Sequence, residues 1–173
     1  MRELWDLYDR DRRPNGGHMY RGEKQPEGSF RLAVCICIFN KEGKLLIQRR
    51  AHCKDWQPGM WDISVGGAAK AGEDSRTAME RELAEELGIR RSFADERPVL
   101  TVHFEDGFID VYTWEATLDT ASLTLQAEEV SDVRYATREE VLSMIEDGTF
   151  LPYYRGLMDY LFFLRNHRGT QVT

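Results

Sequence analysis

The chain has 173 residues, a formal net charge of −7 and a pI near 5.2. That length fits one domain, residues 1–173, which can hide roughly two-thirds of its unfolded surface, and the acidic balance argues against a nucleic-acid backbone as partner. No apolar run reaches the roughly 18 residues of a membrane span, and Met1-Arg2-Glu3-Leu4-Trp5-Asp6 lacks a secretory apolar segment, so a cytoplasmic protein without a membrane partner is expected.

In chain order, residues 3–8 read as a short strand. Residues 11–28 are charged and rich in Gly and Pro, and read as a loop or lid, so that 1–30 form an N-terminal extension. Arg31–Phe39 (RLAVCICIF) is β-branched and apolar, a strand of the buried type. A turn at 40–43 predicts 44–49 as its hairpin partner. Residues 51–60 form a loop with Trp56 and Pro58-Gly59, and 62–65 a short strand leading to Gly66-Gly67. Residues 99–104 and 108–117 predict a second hairpin around Glu105-Asp106-Gly107, followed by a strand at 130–135. Thr137 and Glu140 have capping-box spacing for a helix to about 147. A last helix spans 153–167, with a stripe of Leu157, Leu161 and Leu164 that suits either the sheet or a homodimer contact. A mixed sheet between helices is the economical packing. Cys35, Cys37 and Cys53 lack metal-site spacing and read as small core residues, and His18, His52, His103 and His167 are scattered.

Residues 67–89 carry the chemistry. They read G-x5-E-x7-R-E-U-x-E-E-x-G-U, where U is aliphatic, with Gly67, Glu73, Arg81, Glu82, Glu85, Glu86 and Gly88 at the fixed positions. On a helix Glu82, Glu85 and Glu86 are i, i+3 and i+4 and share one face, beside an apolar stripe of Met79, Leu83 and Leu87. Asp74 or Ser75 can cap the N-terminus and Gly88 fits the C′ position. Three adjacent carboxylates disfavour a bare helix, and one arginine does not neutralise them. Hard oxygen ligands facing one point suit Mg²⁺ together with substrate phosphates.

This segment resembles the Nudix box at every defining position. The resemblance implies an α/β/α sandwich with a mixed central sheet, and a Mg²⁺- or Mn²⁺-dependent hydrolase of a nucleoside diphosphate linked to another group. Carried over by position, Glu82, Glu85, Glu86 and the Gly67 carbonyl would be metal ligands, Arg81 would orient the glutamates, and Glu73 would support that network. The base that takes the water proton would be Glu82, or outside the box Glu128 or Glu129; the sequence does not choose.

A wider resemblance, at Leu4–Asp9, Leu32-Ala33, Phe39-Asn40, residues 43–46, Arg49-Arg50-Ala51, Lys54, Pro58-Gly59 and Trp61, is to the Nudix branch related to isopentenyl diphosphate isomerase. It implies diphosphate contacts for Arg50 and Lys54 and a site role for Asp110. The isomerase's cysteine and two histidines are replaced here by Gly66, Ala68 and Arg31. Protonating carbon requires a positioned acid and base, so isomerisation is the alternative rather than the expectation. A binding module without turnover is the other alternative, and the intact box argues against it. Trp56, Trp61, Phe104, Phe108, Tyr112 and Trp114 are aromatics suited to a pocket or to the core. The partner expected is a small diphosphate-bearing molecule.

Overall fold

The computed structural model describes residues 2–167. Strand β3 (Arg31–Phe39) is the axis of a seven-stranded mixed sheet. It pairs in parallel with β8 (Gly107–Glu115) along its whole length, from Arg31↔Gly107 to Phe39↔Glu115, and β8 pairs antiparallel with β7 (Leu100–Phe104). On its other side β3 pairs with β6 (Val65–Ala68), from Ala33↔Ala68 to Ile36↔Val65.

The hairpin expected between 31–39 and 44–49 is barely a hairpin. Strand β4 (Leu45–Arg50) meets β3 only at Phe39↔Leu45, and its long ladder is with β9 (Val130–Ala136). The segment 61–68 wedges the two strands apart. Its first part, β5 (Trp61–Asp62), stays with β4, and its second part, β6, stays with β3. Buried Ser64 sits at the fork, accepting from the Ile38 amide at 2.8 Å and donating to the Leu46 carbonyl at 2.5 Å. The sheet therefore splits into a V, and the V is where the site lies.

Alternation along β3 makes two cores. Leu32, Val34, Ile36 and Ile38 pack with Met79, Leu83 and Leu87 of α1 (Ser75–Leu87). Cys35, Cys37 and Phe39 pack with Val141, Leu142 and Met144 of α2 (Arg138–Glu146), and with Met158, Leu161 and Leu164 of α3 (Arg155–Leu164). This is the α/β/α sandwich. The stripe of the last helix is thus buried on the sheet. Thr137 and Glu140 complete the capping box of α2, Asp74 caps α1 through the Thr77 amide at 2.8 Å, and Gly88 ends α1 at φ 71°. Cys53 is exposed rather than a core residue.

Residues 11–28 are not all loop. β2 (Pro14–Tyr20) pairs with β1 (Leu4–Tyr8) in a two-stranded ribbon, with Pro14 at the strand's first position, where a missing N–H is tolerated. Asp9 closes the turn by accepting from the Asp11 and Arg13 amides at 2.9 and 2.8 Å. The ribbon is tied to the site: the Ala71 amide donates to the Leu4 carbonyl at 2.8 Å and the Gly72 amide to Asp6 at 2.7 Å.

Candidate active site

Helix α1 directs Glu82 and Glu86 toward the split in the sheet, where both are buried, and leaves Glu85 exposed. Arg81 organises them. Its guanidinium donates to Glu73 at 2.7 and 2.9 Å, to Glu82 at 2.8 Å, to Glu85 at 2.9 Å and to the Ala68 carbonyl at 2.9 Å. Glu73 also accepts from the Lys70 amide at 2.8 Å. Burial pushes the Glu73 carboxyl up, but its bonds to Arg81 and Lys70 hold it below the usual carboxylate range. Burial raises Glu82 despite Arg81. Burial, reinforced by Glu82, raises Glu86 well above the ordinary value, and the Gln48 side chain opposes it with one 3.0 Å bond.

Glu82 and Glu86 reach opposite arms of the V. Glu86 meets Gln48 on β4. Glu82 lies so close to Gly67 on β6 that a Cβ there would fall 2.1 Å from its Oε1. Among the described residues no three Asp, Glu, His or Cys side chains converge on one point, since Arg81 holds Glu82 and Glu85 while Gln48 holds Glu86. The donors nevertheless fit a divalent cation. They are hard oxygens, the notch at Gly67 is kept open by the missing side chain, and buried Gln48 Oε1, beside Glu86, has no hydrogen-bond partner. A water of a hydrated cation would satisfy that acceptor.

The V opens into a cavity of about 660 Å³. Gly67, Glu82, Glu85, Glu86, Arg50, Lys54 and Glu129 line it, joined by Gln48, Trp56 and Gln126. Lys54 is paired with Glu129. Arg50 donates to the Trp56 and Gln57 carbonyls at 2.8 and 3.1 Å and lies 3.8 Å from Asp62. Arg81 and Glu73 stand behind the acidic face and are not in the lining. Glu3, Trp5 and Arg21 of the N-terminal ribbon also line it, as do the apolar side chains Val102, Ile109, Val111, Leu157 and Leu161.

Two expected contact residues are not brought to the cavity. Ile109 and Val111 face it, so Asp110 between them faces the other side of the sheet. There it is fully buried and paired with Arg12, with Thr101 donating at 2.7 Å. Trp61 lies outside the lining and packs on the second core with the Arg134 guanidinium 5.1 Å from its ring. Of the aromatics considered, Phe108 and Tyr112 are core. Sequence reading missed Gln48 and the pair Asp62–Tyr153, joined at 2.8 Å in the cavity wall. A polar residue inside the buried run LLIQRR was the available signal for Gln48.

A model of the NUDIX domain matches residues 29–155. The chain belongs to the Nudix family. A Nudix hydrolase of Listeria monocytogenes is 42% identical over 164 residues, covering 95% of this chain and 96% of that protein. A Nudix hydrolase of Pseudomonas aeruginosa is 36% identical, covering 87% and 86%. The crystal structure of DR0079 from Deinococcus radiodurans superposes with a TM-score of 0.73 at 24% identity, over 92% of this chain and 97% of that one. A MutT protein from Methanosarcina mazei superposes with a TM-score of 0.60 at 20% identity, over 84% and 100%. Both likenesses concern the Nudix fold. As a Nudix hydrolase the chain is an enzyme acting on phosphorus-containing acid anhydrides, and Nudix enzymes generally use a divalent metal and small-molecule substrates. Among the described residues no helix is long and apolar enough to cross a membrane.

Proposed function

We propose that this enzyme is a Mg²⁺- or Mn²⁺-dependent hydrolase that cleaves the phosphoanhydride bond of a nucleoside diphosphate-linked or related small molecule. One observation carries the reading. Two buried glutamates, Glu82 paired with Arg81 and Glu86 with no cation partner, share a cavity with the cations Arg50 and Lys54.

In this reading Glu82, Glu85, Glu86 and the Gly67 carbonyl hold the cation. When bound, the ion neutralises charge on the diphosphate and makes water a better nucleophile. Arg81 and Glu73 fix the positions of the glutamates, a task for which a planar guanidinium with five donors is suited. Arg50 and Lys54 contact phosphoryl oxygens. Glu129 accepts the proton of the attacking water. Its carboxylate lines the cavity, whereas Glu128 is exposed and outside the lining, and Glu82 is assigned to the cation. We read residues 1–173 as one cytoplasmic catalytic unit whose N-terminal ribbon contributes to the cavity lining.

The test is a turnover panel with Mg²⁺: nucleoside triphosphates, nucleotide sugars, dinucleotides, dinucleotide cofactors and isopentenyl diphosphate, with products resolved by phosphorus and proton NMR. Cleavage of an anhydride is expected. Rearrangement of isopentenyl diphosphate without phosphate release would contradict the reading. Isomerisation is also disfavoured by position, because glycine (Gly66) and alanine (Ala68) at the fork supply no acid or base.

A further inference from the structure

We propose that Arg31 forms a second anion subsite in the cavity, taking the substrate phosphoryl group that lies away from Arg50 and Lys54. The identity of the ligand rests on the phosphoanhydride reading; the subsite itself rests on the following geometry.

Arg31 lines the cavity and is only half-buried. Its guanidinium carbon lies 5.3 Å from the Trp5 ring centre and 5.4 Å from that of Phe104. Rings beside a guanidinium attract its charge but give its N–H groups no oxygen acceptor. Among the described residues those N–H groups make no hydrogen bond or ion pair. The other cavity cations are engaged: Arg50 with two carbonyls, Lys54 with Glu129, and Arg21 with Glu3 at 3.3 Å. In a chain of net charge −7, an arginine beside two rings that has found no carboxylate is out of keeping with its surroundings.

Trp5, 7% exposed, lines the same cavity and packs beside the guanidinium.

Position assigns the ligand. Arg31, Ala33 and Cys35 alternate onto one face of β3, and all three line the cavity. Ala33 pairs with Ala68, the neighbour of Gly67, so Arg31 stands one strand repeat, about 7 Å, further along. Arg50 and Lys54 belong to the other arm of the V. Cations thus line the cavity on both arms of the V, an arrangement that suits a molecule with two linked phosphoryl groups. A planar guanidinium suits phosphoryl oxygens through two parallel N–H bonds.

The test is calorimetric titration of inorganic pyrophosphate in the presence of EDTA, so that no metal contributes, using wild type, Arg31→Met, Arg31→Lys and Glu86→Gln. Wild type is expected to bind. Arg31→Met should bind at least about tenfold more weakly, the equivalent of one or two charge-assisted hydrogen bonds. Arg31→Lys should recover part of the loss, because it keeps the charge without the fork, and it guards against a packing artefact in Arg31→Met. Glu86→Gln should bind at least as tightly as wild type, having one cavity carboxylate fewer. In turnover with Mg²⁺, Arg31→Met should raise KM with kcat changed by less than about threefold. Equal pyrophosphate binding by wild type and Arg31→Met, or none by wild type, overturns the subsite even if anhydride cleavage is observed. Arg31-dependent binding in a protein that cleaves no anhydride would instead keep the anion site and remove the hydrolase reading.

Discussion

Replacing Gly67 by alanine tests the link between the β6 notch and the acidic helix. Gly67 does not need glycine for its backbone, since its φ is not in the left-handed region. It needs glycine for space. A Cβ there would lie 2.1 Å from Glu82 Oε1, 2.3 Å from Cδ and 2.7 Å from Oε2, so the carboxylate must retreat by about 1 Å to reach even a tight contact. Glu82 is the far end of a flexible side chain, and the fold should survive. Its 2.8 Å bond to Arg81 would be strained or lost, which costs about 1 kcal/mol of stability, or about 3 °C in a chain of this size. On the role proposed for Glu82 activity should suffer more, because displacing a reacting-site group by about 1 Å costs on the order of a hundredfold in rate. The assay is the initial rate of anhydride cleavage across a Mg²⁺ titration, with thermal melts in parallel. Gly66→Ala is the graded comparison: its Cβ would lie 3.2 Å from the Cys35 Cβ and 3.3 Å from the Val34 carbonyl, so a smaller loss is expected. Turnover of Gly67→Ala within about twofold of wild type at saturating Mg²⁺ would refute the argument.

Asp62 makes stability depend on pH. Burial pushes its carboxyl up to about 6, against the bonds from Tyr153 and the Ile63 amide and the charge of Arg50. The folded protein keeps a proton that the unfolded chain releases from about pH 4, so this contribution is full below pH 4 and is lost as pH rises through about 6. Asp62→Asn has no such proton to lose. Wild type should lose up to about 3 kcal/mol relative to the variant between pH 4 and 8, read by urea unfolding, and parallel profiles would contradict this. Arg12→Ala leaves Asp110 buried without its cation, and should cost about 3 kcal/mol, partly recovered in Arg12→Ala/Asp110→Asn. A loss below about 0.5 kcal/mol would show that the ribbon's tether is not held by that pair.

Local chemistry made much of this molecule readable from its sequence. The β-branched run of β3 has no breaker inside it, and its observed span is the expected one. Spacing placed Glu82, Glu85 and Glu86 on one helical face, and the Thr137–Glu140 box marked the start of α2. What was not readable depends on residues distant in the chain. Strand β2 is held by main-chain pairing and carries Gly16 and Gly17, so composition hides it. The apolar patterns of β3 and β4 declare both buried but do not reveal that residues 61–68 part them. Alternation sets Asp110 opposite its neighbours Ile109 and Val111, but the side that holds the cavity is decided by α1 and α3. Its partner, Arg12, is 98 residues away. The unengaged state of Arg31 is likewise a property of the assembled wall, because Trp5 and Phe104 reach it from different strands.

Comparison of wild type with Glu86→Gln reaches the central claim most directly. The substitution keeps the shape of the side chain, removes a buried charge from the acidic face and leaves a group that can still bond to Gln48. Rates of anhydride cleavage would be measured across a Mg²⁺ series beside calorimetric Mg²⁺ binding and thermal melts. Turnover should fall more than about tenfold and metal binding should weaken, while the metal-free variant unfolds no earlier than wild type. Near-normal turnover with an unchanged Mg²⁺ requirement would contradict the assignment of this helix as the metal site.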